Sequence, residues 1–300
     1  MLSLIIKIFL QIKNIIYSPL SRLLKYKYLS KSDFKVKFIH EGGIEIKIPR
    51  VSNLEILFDY GLLVGRNLKF INRPLSEPLM RRIVYELYSK NYIDNTKSII
   101  DIGSWIGDNS IVWAKLLKNQ ATVLAIDPSK NNQDYCKKLC EFNKIENINL
   151  INAVCSDESN QKLGFSGSID HANFRKTYDQ KFVLSKTLNS VVNEFSLNKE
   201  IGFMHIDVEG FEFQVLKGAD LILSDQKPII IFEQHITKED VSSIFDYLKT
   251  FGYEVYMINE VLQGCDLDCR NFIALHKNKN FPKLKKLSLK DLSELGIKSA

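Results

Sequence analysis

Apolar and polar positions in this chain follow two rhythms, which alternate from Ser98 onward. Short apolar runs predict strands at 98–102, 122–126, 148–152, 201–206 and 228–232. Between them, apolar residues recur three and four apart and predict helices at 108–118, 131–143, 187–196, 211–223 and 238–250. Strands alternating with helices argue an α/β fold, a mostly parallel sheet with helices on both faces. Runs at 253–258 and 272–276, joined by a Gly- and Asp-rich loop, add a terminal antiparallel pair. The polar stretch 164–178 has no clear period and reads as an acceptor-binding insertion or as plain surface loop.

The first 97 residues are patterned differently. Residues 2–17 are strongly apolar, and on a helix Ser3, Lys7, Gln11, Asn14 and Ser18 form a narrow polar stripe. Spanning a bilayer takes about 20 uninterrupted apolar residues, and Lys7 and Lys13 break this run. No small-residue cleavage site of a secretory signal follows. One reading is an interfacial helix, with Arg22, Lys25, Lys27 and Lys31 drawn to anionic lipid and residues 1–31 in peripheral contact with a membrane. The other is a helix packed in a groove of the chain itself or of its twin in a homodimer. The expected compartment is cytoplasmic, peripheral at a membrane under the first reading. Alternation through 34–48 around Glu41-Gly42-Gly43 predicts a hairpin. A strand at 54–60 and a helix at 79–92, entered through Pro74 and Pro78, complete an N-terminal helix and hairpin extension that is a candidate acceptor-side lid. The expected division is 1–32 apolar and basic helix, 33–97 extension, 98–277 core domain, and 278–300 Lys-rich tail, either a small helix or disordered.

Composition narrows the class little. With 300 residues, 45% hydrophobic and 25% charged, the chain is ordinary globular material, which favours one large domain with appendages. The 41 basic and 35 acidic residues leave a net charge of +6, which suits an anionic or glycan partner without demanding nucleic acid. Cys136/Cys140 and Cys265/Cys269 are C-x-x-x-C pairs, off the usual zinc spacing. Free thiols are expected, with a disulfide in the late pair as the alternative.

Chemistry concentrates in two stretches. In the first, the run Ile99-Ile100-Asp101-Ile102 ends at Gly103, with Ser104 next and Gly107 four residues on. A strand, a tight turn and a helix start make the place where α/β sheets bind ligands, and glycine lets a ligand approach the backbone. The dinucleotide fingerprint G-x-G-x-x-G lacks its third glycine here. Asp101 and Asp108 flank the turn and would repel a pyrophosphate. They suit the ammonium and sulfonium of S-adenosyl-L-methionine better. Asp127 ends the next strand, where a carboxylate accepts from ribose hydroxyls, unless Asp127-Pro128-Ser129 merely caps the following helix. Asn152 ends the third strand, on the adenine side, with Ser156 and Asp157 nearby.

The second stretch is Met204-His205-Ile206-Asp207-Val208-Glu209-Gly210-Phe211-Glu212. A buried strand delivers Asp207 to its carboxyl end, and Glu209-Gly210 turn into a helix. A neighbouring strand ends at Glu233, with His235 two residues on. Across roughly 98–276 the chain resembles the FkbM-type methyltransferase family. The resemblance rests on I-D-I-G-S-W-I-G-D at 100–108, I-D-V-E-G-F-E at 206–212, V-L-K-G-A at 215–219, I-I-I-F-E at 229–233 and G-Y-E-V-Y at 252–256. It implies a Rossmann-like class I methyltransferase fold with a seven-stranded sheet, S-adenosyl-L-methionine as cofactor, and O-methylation of a sugar, glycan or natural-product hydroxyl. It carries over Asp101, Gly103 and Gly107 as cofactor contacts, and Asp207, Glu209 and Glu233 as signature residues.

An alcohol needs a base to take its proton as it attacks. Asp207 is the first candidate and His235 the second, while His205, inside its strand, reads as a core residue. Asp207, Glu209 and Glu233 also offer hard oxygen ligands of the kind Mg²⁺ takes, an alternative to a metal-free site. Helix capping by Glu209 and a structural hydrogen bond from Glu233 are the plainer roles. A nicotinamide dehydrogenase would need the missing glycine, and a nucleic-acid methyltransferase would carry an Asn/Asp-Pro-Pro-Tyr or Pro-Cys motif, absent here. Trp105 and the apolar N-terminus leave open a catalytically inactive scaffold tethered by its N-terminus.

Overall fold

In the computed structural model of this chain the described residues are 36–48, 77–165, 174–176, 182–195, 200–236, 241–260, 269–278 and 297–299. The helix expected at 2–17 and the strand expected at 54–60 lie outside them. In chain order the elements are β1 Val36–Ile39, β2 Glu45–Ile48, α1 Pro78–Ser89, β3 Ser98–Ile102, α2 Ser110–Leu116, β4 Val123–Ile126, α3 Lys130–Asn143 and β5 Ile148–Ile151. There follow β6 Val154–Cys155, β7 Lys162–Phe165, β8 Phe174–Lys176, β9 Phe182–Lys186, α4 Leu188–Glu194, β10 Ile201–Ile206 and α5 Glu212–Lys217. The chain closes with β11 Ile229–His235, α6 Val241–Thr250, β12 Tyr253–Ile258, β13 Cys269–His276 and β14 Ile297–Ser299.

The main sheet runs β14-β12-β13-β11-β10-β3-β4-β5. The strands from β11 to β5 are mutually parallel, and β13 is inserted antiparallel between β11 and β12. Strands covered on both faces need apolar residues at every position, which is why β3, β4, β10 and β11 read as unbroken runs rather than alternations. Alternate residues feed two cores. Ile99, Phe203, Ile229, Ile231 and Ile273 pack on one face with α1 and α2, through Met80, Ile83, Leu87 and Trp113. Ile100, Met204, Ile230, Phe232 and Ala274 pack on the other with α4, α5 and α6, through Leu188, Val215 and Leu248.

Several elements differ from the sequence reading. Among the described residues the expected seven-stranded sheet gains an eighth strand, because residues 297–299 of the tail pair antiparallel with β12. Strand β11 continues through Glu233 to His235, supported by its pairing with β13. The helix expected over 211–223 stops at Gly218, and a π-turn follows at Ile222–Gln226. A side chain at 218 would lie 2.0 Å from the Ser156 carbonyl oxygen, so the backbones touch there. The stretch 164–178 holds the end of β7 and all of β8, two strands of a second, four-stranded sheet ordered β6-β9-β7-β8. Those strands are too short for a strong period.

The extension is joined to the core. Helix α1 buries Met80, Ile83, Val84, Leu87 and Tyr88 against the sheet. Ile46 of β2 packs with Ile106, Tyr135 and Leu139, and Asn143 of α3 exchanges two hydrogen bonds with the Lys47 backbone. Cys136, Cys140 and Cys155 are free thiols, whereas Cys269 is disulfide-bonded. Among the described residues no helix is long and apolar enough to cross a membrane.

Candidate active site

The turn after β3 is built on two left-handed glycines. Gly103 has φ +80°, and a Cβ there would stand 1.7 Å from the Asp207 carbonyl oxygen. The first turn therefore rests directly on the backbone of the second. Gly107 has φ +78°, and its missing Cβ leaves room for the Cys136 sulfur. Gly103 and Ser104 donate their N–H groups to the Ile126 carbonyl, 2.9 and 3.0 Å, tying the turn to the end of β4. Ser104 is 3% exposed, and its hydroxyl has no hydrogen-bond partner among the described residues.

Each carboxylate around this turn is matched from within the protein. Asp101, 1% exposed, meets His205 Nδ1 at 2.8 Å, its register partner on β10, and accepts from Ser110 Oγ. Burial works against charge on His205, but the hydrogen bond and negative charge of Asp101 outweigh it and hold the imidazole pKa above its usual value. His205 is a buried core residue, edge-on to Trp113. Asp108 pairs with Arg81 Nη2 of α1 at 2.8 Å. This removes the electrostatic argument that two bare carboxylates select a cationic cofactor over a pyrophosphate. Asp127 accepts from Trp105 N–H at 2.9 Å through Oδ2, and from Ser129 N–H at 2.8 Å and Asn132 Nδ2 at 3.1 Å through Oδ1. The cap of α3 is supplied by the Ser129 hydroxyl. Asn152 donates to the Asp127 and Pro128 carbonyls, 3.1 and 2.8 Å, and so braces that loop.

The second turn gathers carboxyls instead of pairing them. Asp207 directly follows Ile206, which is level with Phe232, so Asp207 and Glu233 stand side by side on the His205 face. Glu233 and Asp207 share a hydrogen bond. Burial, then the charges of Asp207 and Glu77, hold its pKa well above the usual carboxylate range. Burial, then the Glu77 charge, push Asp207 up to about 7, with Glu209 adding to the rise and His205 and Glu233 opposing it. Glu209 has φ +54° and lies 3.4 Å from His235 Nε2. His235 also contacts the Cys269 sulfur at 3.5 Å. The turn itself is held by Glu212, whose carboxylate accepts from Val208 N–H, Gly210 N–H and Gln234 Nε2. Among the described residues no group of three or more His, Cys, Asp or Glu side chains is arranged to hold a metal ion.

Three side chains at this site escape sequence reading. Glu77 and Asn271 come from outside the recognised motifs, and Asn271 donates to Glu77 Oε1 at 2.6 Å. Arg81 left one signal: it lies in line with Val84 and Tyr88 on the buried stripe of α1, where a cation needs a buried partner. Nothing in the sequence distinguishes Glu77 from an ordinary residue before a helix proline.

The sheet order, the glycine turn on its central strand and the acidic turn beside it define a Rossmann-like fold of the class I methyltransferase type. The family described as methyltransferase FkbM domain matches residues 101–255, and the chain belongs to that family. No curated relative matches it. Among solved structures it is similar to methyltransferase FkbM from Methylobacillus flagellatus, at 12% identity and TM-score 0.46, over 85% of this chain and 59% of that one. It is similar to the N-terminal domain of human METTL16, at 16% identity and TM-score 0.43, over 84% and 93% of the two chains. Precorrin-6y C5,15-methyltransferase from Geobacter metallireducens gives 13% identity and TM-score 0.43, over 73% and 95%. The chain thus spans 59% of the length of the first of these proteins.

Proposed function

We propose that this chain transfers the methyl group of S-adenosyl-L-methionine to a hydroxyl of a sugar, glycan or related small-molecule acceptor. The observation that carries the reading is Asp207: a carboxyl pushed up to about 7, hydrogen-bonded to Glu233 and seated against the glycine turn. The cofactor, when bound, supplies an electrophilic methyl on a sulfonium. Ser104 supports the fit, since its buried hydroxyl stands ready for a polar group, and Gly103 and Gly107 give the turn its left-handed shape. Gly103, Ser104, Gly107, Asp127 and Asn152 would line the cofactor side, with Asp101 bracing the turn from below.

Asp207 takes the proton of the acceptor hydroxyl while the new C–O bond forms and the C–S bond breaks. A base with a pKa near the working pH combines ionisation with proton affinity better than an ordinary carboxylate does. His235 lies beyond Glu233 on the same strand and is the second candidate. Binding without transfer, the scaffold reading, draws support from the many internal partners of the carboxylates around the first turn.

The experiment is calorimetric titration of S-adenosyl-L-methionine into the full chain and an Asp127→Ala variant, followed by transfer assays on neutral and charged glycans. Expected are binding in the parent, at least about tenfold weaker binding in the variant, and transfer reduced about 10²–10⁴-fold by Asp207→Asn. Absence of binding by folded protein overturns the proposal. Binding without transfer to any acceptor favours the scaffold.

A further inference from the structure

Glu77 sits where the chain enters α1, and everything around it holds it over the sheet. Its backbone is left-handed at φ 50° and ψ 46°. That conformation is uncommon for a residue with a side chain and is kept only where the surroundings demand it. As the N-cap residue it makes no side-chain capping bond. That duty falls to Glu260, whose carboxylate accepts from Leu79 and Met80 N–H. The Glu77 carboxylate, on a residue 7% exposed, is thereby left to Asn271.

Asn271 is level with Glu233 in the pairing of β11 with β13. It is 3% exposed, and its Oδ1 has no hydrogen-bond partner among the described residues. The amide therefore points one end at Glu77 and leaves a buried acceptor beside the carboxyls, a place for a donor on the incoming acceptor. Arg81, one turn along α1, is committed to Asp108 and Asn109.

We propose that Glu77, held by Asn271 level with Glu233, is a positioning residue of the transfer site: its carboxylate opposes charge on Asp207 and so favours the base that takes the acceptor's proton. The inference rests on Asp207 being the base. The groups whose charge or hydrogen bonding bears on Asp207 are His205 from its own strand, Glu209 from the turn, Glu233 from β11 and Glu77 from the entry to α1. Of these, only Glu77 comes from the extension, outside the matched residues 101–255. Glutamine at 77 can still accept from Asn271, so Glu77→Gln removes the charge and spares the contact.

The test is a carbon-13 titration of the full chain labelled in aspartate and glutamate, without cofactor or acceptor. The Asp207 carboxyl is identified by its absence in Asp207→Asn. The parent midpoint is expected at about 7. Glu77→Gln lowers it by about one unit, Glu77→Asp leaves it within a few tenths, and Asn271→Ser, which releases Glu77, lowers it by a smaller amount. An unchanged midpoint in Glu77→Gln with a native amide spectrum overturns the proposal; should that variant fail to fold, an unchanged midpoint in Asn271→Ser does so. Failure here leaves cofactor binding intact, whereas failure of the methyltransferase reading appears in the calorimetry.

Discussion

Two acidic turns lie side by side at the carboxyl ends of the adjacent strands β3 and β10 and use their carboxylates in opposite ways. Around the first, Asp101, Asp108 and Asp127 each meet a cation or N–H donors supplied by the protein. Around the second, Asp207 and Glu233 meet one another, with Glu77 and Glu209 as further negative neighbours. Matched carboxylates stiffen a scaffold, because a buried charge with good partners is costly to disturb. Crowded ones hold a proton instead. The first turn is therefore suited to giving a ligand a fixed shape to bind, and the second to proton transfer.

The contrast depends on the two turns touching, and the largest expected effect breaks that contact. In Gly103→Ala the added methyl would lie 1.7 Å from a carbonyl oxygen, on a backbone with φ +80°. Backbone cannot swing aside as a side chain can. Loss of more than about 4 kcal/mol in urea unfolding, with loss of cofactor binding, is expected. Native-like stability would mean that the turns do not rest on each other.

Asp101→Asn comes next, and tests whether the first turn is matched. It leaves His205 buried without its anion, a change that costs about 3 kcal/mol. His205 has a folded pKa raised above 6.5, so the stability it contributes is present below that value and lost as pH rises through the folded pKa. The deficit in Asp101→Asn is therefore largest in mild acid and shrinks toward alkaline pH. A deficit that does not vary with pH, measured by urea unfolding at several pH values, would show the pair to be uncharged.

The sequence made the strand ends legible and left their pairings hidden. Unbroken apolar runs closed by Gly103, Asp127, Asn152 and Asp207 marked the edge of the sheet where a ligand binds, because a parallel strand covered on both faces leaves no other pattern. Whether a carboxylate there is matched or crowded depends on neighbours distant in sequence. His205 reaches Asp101 across 104 residues and Asn271 reaches Glu77 across 194. Glu209 looked like the capping residue of the second turn, yet Glu212 holds its N–H groups. The three-residue spacing could not choose between the two. The small side sheet escaped because strands of two to five residues show no period long enough to read.

The smallest effect sharpens the comparison most, because its sign reverses. Asp207 has a folded pKa of about 7 against an ordinary 3.8. Between those values the folded chain holds a proton that the unfolded chain has released, so the stability Asp207 contributes is full below 3.8 and lost as pH rises through 7. Above 7 the group is ionised beside Glu77 and Glu209, and the fold carries that repulsion. Asparagine at 207 is neutral at every pH. Asp207→Asn should therefore match the parent within about 0.5 kcal/mol in acid and exceed it by about 1 kcal/mol at pH 8, on the scale of one pKa unit. Removing a carboxylate from the first turn costs stability and removing one from the second returns it, with transfer lost alongside. Thermal unfolding of the two variants across pH measures both signs; an Asp207→Asn chain weaker than the parent at pH 8 would place Asp207 among the matched carboxylates and end the distinction between the turns.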